Sequence, residues 1–427
     1  MTRAIRGHLI EFISAIEVRS WPDGAIIIDA DRIGAIGDAS VVLKGFAGEI
    51  EDYRGCLIMP GLIDTHIHLP QTQVIASYGT QLLEWLQKYT FVEEQRFADS
   101  GHCAANAAFY CDELIRNGTT TAVTYGSVHK QSIDALFEAA SARNMRMLGG
   151  KVMMDRNAPA ALQDTAQSGY DDSKNLIERW HGKGRNAYVV TPRFAITSTD
   201  AQLEAAGTLL REHPDCYLQT HLAENHDEIR TVAELFPWSK NYTDVYDHFG
   251  LLGPNSLFGH CIHLSDAECQ RLSETGSIAC FCPTSNLFIG SGLFDLKRIT
   301  DACRPIAVTL ATDIGGGTSY SMLRTAHEAY KILQLQGQNW PARAAFHMMT
   351  RGNAEALGLA HEIGTLEPGS IADLTILDPN ATEAMAHRAA RLDDDLDALL
   401  FMLMMMGDDR TIAATLVAGQ KLHDRRT

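Results

Sequence analysis

Short apolar runs recur along the whole chain, and their surroundings differ between the ends and the middle. Near the amino terminus the runs are β-prone and are broken by Gly, Asp and Pro, as in Gly24–Ala39 and Glu49–Gly61. The carboxyl-terminal stretches Gly364–Asp378 and Thr411–Asp424 show the same pattern of short β-prone runs. Runs of this kind predict small antiparallel strands. We therefore expect one small β domain, a β-sandwich, that is assembled from both ends of the chain.

Between those ends, eight longer apolar runs alternate with helical or loop patterns. Eight buried strands that alternate with helices are what a (β/α)8 barrel requires. An open doubly wound sheet is the alternative, but the chain lacks a Gly-rich phosphate-binding fingerprint. We expect an α/β fold with a TIM-type (β/α)8 barrel over residues 60–363, flanked by 1–59 and by 364–427 with its final helix and strands. The eight runs are Leu57–His68, Thr119–Gly126, Arg146–Asp155, Asn186–Phe194, Cys216–Glu224, Ser256–Leu264, Ser277–Asn286 and Ile306–Ile314.

Charge and cysteine content limit the classes of partner and compartment. The 427 residues carry 53 acidic and 36 basic side chains, which gives a formal net charge of −17. An acidic protein is a poor match for nucleic-acid backbones and anionic membranes. The amino-terminal stretch lacks the features of a signal peptide, and no apolar run reaches the roughly 18 residues of a membrane helix. Nine cysteines without framework spacing are typical of reduced thiols. We expect a cytoplasmic protein.

Polar side chains follow four of the predicted barrel strands at the point where each strand ends. His66 and His68 end the first strand and are two residues apart, so their side chains leave from one face. His221 ends the fifth strand, His260 the sixth and Asp313 the eighth. The carboxyl ends of barrel strands meet at one face, where TIM barrels carry their active sites. Burying such groups together without a cation would be costly, so the pattern predicts a metal site.

The same residues indicate hydrolysis. Three histidines and an aspartate fill most of a divalent coordination sphere and leave a position for water, whose pKa then falls toward about 7. A carboxylate that is not a ligand must move the proton, and Glu224, three residues after His221, is the candidate. Asp313 can orient the water while it contacts the metal. His260 is either a further ligand or a neighbour that polarises the water, and the sequence leaves both roles open.

Several motifs carry a resemblance to a known family. PGLIDTHIHLPQ, HLAE, GHCIHLS, PTSN and TDIGGGTSYSML resemble the mononuclear deaminase branch of the amidohydrolase superfamily, and GTLEPGSIADL resembles its small β domain. More narrowly, LLEWLQKYTFVEEQRF, NGTTTA, GKVMMD, TPRF, KNYTDVYD and MGDDR resemble the guanine deaminase family, from about residue 55 onward. The resemblance implies zinc-dependent hydrolysis of guanine to xanthine and ammonia. Metal-bound hydroxide would attack C2 while Glu224 shuttles protons.

The resemblance also implies roles for particular residues and a homodimer. One Zn²⁺ per chain would be bound by His66, His68, His221 and Asp313. Catalysis would involve Glu224 and Asp313, with His260 beside the metal-bound water. By the resemblance, guanine would be contacted by Gln71, Arg193, Phe194 and Glu224. We also expect contacts from Trp85 and from the two ligands His68 and His221.

The chemistry of guanine agrees with the residues expected to contact it. Arginine is the natural partner of the O6 and N7 edge of guanine, and Arg193 ends the fourth predicted strand. Gln71 offers both a donor and an acceptor for the pyrimidine edge. Phe194 and Trp85 could enclose the ring, although aromatic side chains also serve simply as core.

Two other functions are compatible with this sequence. The same machinery could act on another amino- or chloro-substituted heteroaromatic ring, or the barrel could be a non-catalytic binding protein. A different zinc-deaminase fold is disfavoured, because the H-x-E of His226–Glu228 has no accompanying P-C-x-x-C. Lys151 ends the third predicted strand rather than the fourth, so it is not expected to bridge two metals.

Overall fold

The computed structural model describes residues 2–79, 81–392 and 395–425. Within these residues the chain forms two sheets, one from its two ends and one from its middle. The strands are β1 (Arg3–Phe12), β2 (Val18–Asp29), β3 (Arg32–Asp38), β4 (Glu49–Pro60), β5 (Leu62–His68), β6 (Thr119–Tyr125), β7 (Arg146–Gly150), β8 (Val152–Met153), β9 (Asn186–Pro192), β10 (Tyr217–Leu222), β11 (Ser256–His260), β12 (Ile278–Phe281), β13 (Ala307–Leu310), β14 (Leu374–Leu377), β15 (Ile412–Val417) and β16 (Gln420–Asp424).

The first sheet, here called the terminal sheet, joins both ends of the chain in the order β16-β15-β14-β4-β1-β2-β3. This confirms a separate β region built from both termini. The expectation of antiparallel strands is wrong for one pair, since β1 and β4 run parallel with Arg3 opposite Glu49. The chain crosses over through β2, β3 and a short helix before β4, and such a crossover returns it in the direction of β1. The boundaries 1–59, 60–363 and 364–427 stay a prediction.

The second sheet is a parallel barrel in the order β13-β12-β11-β10-β9-β7-β6-β5, with β8 continuing β7 beside β9. All eight predicted strands are present, and the (β/α)8 barrel is confirmed. Its first and last strands meet through backbone bonds beyond the ladder, because Asp313 N–H donates to the His66 carbonyl and His68 N–H to the Ile314 carbonyl, both at 2.9 Å. The side chain of Asn353 also donates to carbonyls of both strands, at Ile63 and Leu310.

Helices surround the barrel. None in the described part of the chain is long and apolar enough to cross a bilayer. The methionine-rich stretch Leu399–Met406 lies at the end of α17, where Leu400, Met402, Leu403 and Met404 are buried. The α-helices are α1 (Ala39–Val42), α2 (Leu82–Trp85), α3 (Phe91–Glu94), α4 (Ser100–Arg116), α5 (Gln131–Ala142), α6 (Ala166–Trp180), α7 (Asp200–Glu212), α8 (His226–Leu235), α9 (Tyr242–His248), α10 (Asp266–Thr275), α11 (Pro283–Phe288), α12 (Leu296–Ile299), α13 (Met322–Leu335), α14 (Ala342–His347), α15 (Asn353–Ala356), α16 (Glu383–Ala389) and α17 (Leu396–Met406).

Shorter helical turns complete the connections between these elements. A π-helical turn, Leu86–Thr90, joins α2 to α3, so the two form one helical segment after the first barrel strand. A second π-helical turn, Met348–Gly352, joins α14 to α15. The 3-10 turns are Leu69–Val74, Gln95–Ala98, Ala160–Leu162, Ala195–Thr197 and Asp409–Thr411.

Candidate active site

The carboxyl ends of the barrel strands bring the four predicted metal ligands into contact. Asp313 Oδ1 lies 3.2 Å from His68 Nε2 and 3.4 Å from His66 Nε2. His221 Nε2 lies 3.4 Å from His68 Nε2. Zinc bonds of about 2.0–2.1 Å in tetrahedral geometry separate neighbouring ligand atoms by roughly 3.3–3.4 Å. The donor atoms therefore stand at the spacing that a zinc ion requires.

Hydrogen bonds behind the histidines orient their rings toward this cluster. His221 Nδ1 lies 2.6 Å from the Arg193 carbonyl, which can only accept, so Nδ1 carries the proton and Nε2 offers its lone pair. His260 Nδ1 lies 2.9 Å from Asn286 Oδ1 and is held in the same way. Both ring nitrogens of His66 are buried, and neither makes a well-aligned hydrogen bond in the described part of the chain, although Asp313 Oδ1 lies 3.4 Å from Nε2. Buried polar atoms without partners are rare, and a cation would satisfy one of them.

Burial and close contacts set the protonation states of His68, His221 and Asp313. Burial lowers the pKa of His68 to about 3 and that of His221 well below its usual range, so both imidazoles are neutral. Burial alone would raise the pKa of Asp313, but contacts with His66 and His68 hold that pKa well below its usual range. Neutral imidazoles and an ionised carboxylate are the forms that bind a divalent cation. The electrostatics therefore fit a metal as well as the distances do.

Glu224 lies beside the cluster, just after β10. Its Oε1 accepts a hydrogen bond from Ser291 Oγ at 2.8 Å, and its Oε2 lies 3.3 Å from His260 Nε2. Burial, followed by the charge of Asp313, raises the pKa of Glu224 to about 8. A carboxyl group with such a pKa can hold and release a proton near neutral pH, as a general acid or base must.

A second carboxylate, Glu228, holds the Glu224 backbone, although in the sequence it stood out only as part of the discounted H-x-E pattern. Glu228 accepts from the N–H groups of Glu224 at 2.8 Å and Asn225 at 3.1 Å. Tyr242, from the KNYTDVYD motif, donates to Glu228 at 2.9 Å. Tyr246 of the same motif donates to the His221 carbonyl at 2.8 Å. The N-x-x-E pattern at Asn225, a capping box that begins α8, was the available signal for Glu228.

Strained backbone and a close glycine contact shape the strand ends. His260 and Asp313 have φ values of 71° and 52°, which are uncommon for residues other than glycine. Strained residues of this kind cluster at functional sites. A Cβ at Gly259 would lie 2.5 Å from the His66 ring, so the glycine lets β11 pass directly beneath that ligand.

One cavity of about 380 Å³, counting its open mouth, lies above the cluster. Every predicted site residue lines it except His66, which lies deeper. Trp85 is fixed by a hydrogen bond from Nε1 to the Ser77 carbonyl at 3.2 Å, and the Phe194 ring stands 6.3 Å from that of His221. The lining residues are His68, Gln71, Leu82, Trp85, Leu86, Arg193, Phe194, His221, Glu224, His260, Ile289, Asp313 and Gly316.

Arg193 and Gln71 share a buried partner in Glu94, which the sequence analysis passed over inside a longer motif. Arg193 Nη1 lies 2.8 and 2.7 Å from the two Glu94 oxygens. Gln71 Nε2 lies 3.4 Å from Glu94 Oε1, and Gln71 Oε1 accepts from the Gly315 N–H at 3.1 Å. Glu94 is 99 residues from Arg193, so no local pattern could have paired them.

Asp64, also missed, joins the first barrel strand to the segment that follows the last one. It accepts from the backbone N–H of Thr312 at 3.1 Å and from the Thr312 hydroxyl, and burial raises its pKa to about 6.

Lys151, by contrast, lies away from the cavity lining, and its Nζ is paired with Asp164 Oδ2 at 2.5 Å. The lysine therefore has a buried partner of its own.

Comparison with known proteins agrees with the fold and shows the family. The model of the Amidohydrolase family matches residues 57–422. Guanine deaminase of Escherichia coli (strain K12) is 47% identical over 435 residues, which cover 99% of this chain and 98% of that protein. The solved structure of the E. coli enzyme superposes with a TM-score of 0.96 and covers 99% of this chain and 100% of its own.

A guanine deaminase from C. acetobutylicum, solved with guanine bound in its active site, is 28% identical. It has a TM-score of 0.89 and covers 99% of this chain and all of its own. The family match extends over most of the chain, and the E. coli relative is similar over its whole length. The chain therefore belongs to the amidohydrolase family and, within it, to the guanine deaminase group.

Proposed function

We propose that this protein hydrolyses guanine to xanthine and ammonia, with one zinc ion per chain bound by His66, His68, His221 and Asp313. One observation carries the proposal: a single cavity joins a metal-ligand cluster to a buried arginine and glutamine suited to a purine edge. The E. coli relative, which is named guanine deaminase, supports the substrate, as does the bound guanine in the C. acetobutylicum enzyme.

The donor set indicates what a bound metal would contribute. When bound, zinc supplies Lewis acidity that lowers the pKa of water toward about 7, so a nucleophile is available at neutral pH. His66, His68, His221 and Asp313 would hold it, and the hydrogen bond from His221 Nδ1 to the Arg193 carbonyl keeps the Nε2 lone pair of that ring aimed at the cluster.

Substrate binding is assigned to other residues that line the same cavity. Arg193 donates to O6 and N7 of guanine, the pairing that arginine also makes with this base in DNA. Gln71 hydrogen-bonds the pyrimidine edge, and the rings of Phe194 and Trp85 flank the flat base. These contacts turn C2 toward the cluster, and they exclude water from the remainder of the cavity.

Proton movement is assigned to Glu224 and His260. Water attacks C2, and Glu224 Oε2 takes a proton from it and delivers that proton to a ring nitrogen. His260 Nε2, 3.3 Å from the same oxygen, orients the water and the new C–O bond. Glu224 then moves the proton of the new C2 hydroxyl to the exocyclic amine. The C2–N bond breaks, the amine leaves as ammonia, and C2 becomes the second carbonyl of xanthine. Ser291 keeps the Glu224 carboxylate turned toward this position.

The cytoplasmic location and the homodimer are further parts of the proposal. Reduced thiols support the first, since all nine cysteines are free. The family resemblance supports the second.

The decisive experiment incubates the purified protein with aminated purines, pyrimidines and triazines and measures ammonia. Guanine should be the preferred substrate, with about one equivalent of zinc per chain by elemental analysis. Preferential turnover of a triazine or a pyrimidine would contradict the substrate. Absence of ammonia from every compound in a zinc-loaded sample would contradict catalysis itself.

A further inference from the structure

We infer that Glu94 determines which purines the cavity accepts, by fixing Arg193 and Gln71 and by cancelling the charge of the guanidinium. The inference rests on the proposed function, because it concerns the same cavity. It makes Glu94 a positioning residue rather than a catalytic one, since its contacts are with side chains that face the substrate.

The geometry places one carboxylate behind both residues that face the base. Glu94 ends α3 and is 1% exposed, and Arg193 and Gln71 are each 3% exposed. Both carboxylate oxygens lie within hydrogen-bond distance of the same guanidinium nitrogen, Arg193 Nη1. Phe91, on the same helix, places its ring 5.3 Å from the guanidinium carbon. The helix therefore holds the arginine by a charge and by an aromatic face.

The same carboxylate decides how the Gln71 amide is turned. A carboxylate can only accept, so the NH₂ group of Gln71 must face Glu94 while its oxygen accepts from the Gly315 N–H. The opposite orientation of the amide would bring two oxygens together and two N–H groups together. Glu94 thus determines which atoms of Gln71 remain available to the base.

Charge compensation has a consequence for ligand choice. Arg193 and Glu94 together are neutral, so a neutral purine binds without leaving an unpaired charge in the cavity. An anionic purine gains little attraction from the arginine, because Glu94 already neutralises the charge of the guanidinium. Removing only the negative charge of Glu94 would leave the Arg193 guanidinium as a buried, unpaired cation. Such a cation attracts an anion strongly where little water is present. Glu94→Gln should therefore shift the cavity toward anionic purines while it weakens guanine binding.

The test compares Glu94→Gln with Glu93→Gln, the same change at the neighbouring residue. Glu93 pairs instead with Arg96 and His102. Inhibition constants are measured for hypoxanthine, which is neutral at pH 7, and for urate, which is an anion. We expect Glu94→Gln to lower kcat/KM for guanine about 10²-fold, mainly through KM. Urate should gain at least about tenfold in binding relative to hypoxanthine. Glu93→Gln should change neither quantity.

Two further variants separate charge from position. Glu94→Asp keeps the negative charge but moves it away from Arg193, because the side chain is one methylene shorter. Guanine turnover should therefore fall, while urate binding relative to hypoxanthine should not increase. In an Arg193→Gln background, Glu94→Gln should lose most of its effect, because coupled residues are not additive. Equal weakening of urate and hypoxanthine in Glu94→Gln, or an undiminished effect without Arg193, would overturn the inference in favour of a structural role.

Folding and the proposed function are checked separately. Melting temperature and zinc content of each variant show whether the protein is intact, and Glu94→Asp carries the test if Glu94→Gln does not fold. In that case, a urate gain in Glu94→Asp as large as that expected for Glu94→Gln would overturn the role of charge. If the wild-type protein does not deaminate guanine, the proposed function fails. Calorimetric binding of the two purines then still decides the role of Glu94.

Discussion

Two ion pairs of equal length lie in very different parts of the molecule. In the terminal sheet, Arg6 Nη2 is 2.7 Å from Asp23 Oδ2, with side chains 32% and 55% exposed. At the barrel rim, Arg193 Nη1 is 2.7 Å from Glu94 Oε2, with side chains 3% and 1% exposed. Water screens the first pair and satisfies its members when they part. The second pair has no such replacement, so each member fixes the other. Distance alone therefore does not show whether an ion pair fixes the positions of its two members, whereas the burial of the side chains does.

The backbone differs between the two regions as well. At the rim, Ala223, His260 and Asp313 all have positive φ, and each lies at the end of a barrel strand beside the cavity. In the terminal sheet, Ala30 and Ala418 have positive φ, but both lie in turns between neighbouring strands. Strain in a turn serves chain reversal. Strain at the rim aims particular side chains at one point, and packing around the rim must hold it there.

The largest effect is expected from removing two ligands. The double variant His66→Ala/His68→Ala should lose zinc and all measurable ammonia release, because Asp313 and His221 alone leave the cation half coordinated. Elemental analysis and the ammonia assay measure both quantities. His361→Ala, which removes a histidine that is 70% exposed, is the matched control and should change neither. Full activity in the double variant would contradict the metal site.

The next largest effect is expected at the proton carrier. Glu224→Gln keeps the shape and the Ser291 contact but removes the titrating group, so kcat should fall about 10²–10⁴-fold with zinc retained. Glu367→Gln, on an exposed side chain beside the terminal sheet, is the control. If Glu224→Gln instead loses zinc and keeps a rate proportional to the remaining metal, Glu224 is a ligand.

A smaller and more selective effect is expected at the purine edge. Arg193→Gln keeps a donor for Glu94 but removes the charged fork, so guanine should lose about 10²-fold in kcat/KM. The gap between guanine and 2-aminopurine, which lacks O6, should shrink, with zinc content unchanged. Steady-state kinetics on both bases provide the measurement. An undiminished preference for guanine would show that this arginine does not bind O6.

The smallest effect is expected in the terminal sheet, on stability alone. Glu11 is 1% exposed and accepts from the Thr365 hydroxyl at 2.5 Å and the Leu366 N–H at 3.0 Å. Glu11→Ala leaves both donors buried and unpaired, which costs about 1–3 kcal/mol of unfolding free energy. Denaturant titration measures the loss, and Glu17→Ala on the exposed neighbouring turn is the control. A fall in kcat as large as the one expected for Glu224→Gln would contradict the separation of the two regions.

Much of this protein could be predicted from sequence because its signals are local. The eight barrel strands follow from apolar runs, and the face shared by His66 and His68 follows from their spacing of two residues. Family motifs marked Arg193 and Gln71 but gave no indication of what holds them. The parallel pairing of β1 with β4 was also missed, because the residue pattern that indicates a strand does not indicate which strand it pairs with.

The sequence by itself therefore determined the strands, the histidines and carboxylates at their ends, and the family. Only the tertiary structure decided that Glu94 lies behind Arg193, that Ser291 turns Glu224, and that Asp64 joins the first barrel strand to the segment that follows the last one. The physical reason is separation along the chain. Periodicity and spacing describe how neighbours are arranged within one element. The partner of a buried charge is chosen by which distant elements the closed barrel brings within hydrogen-bond distance.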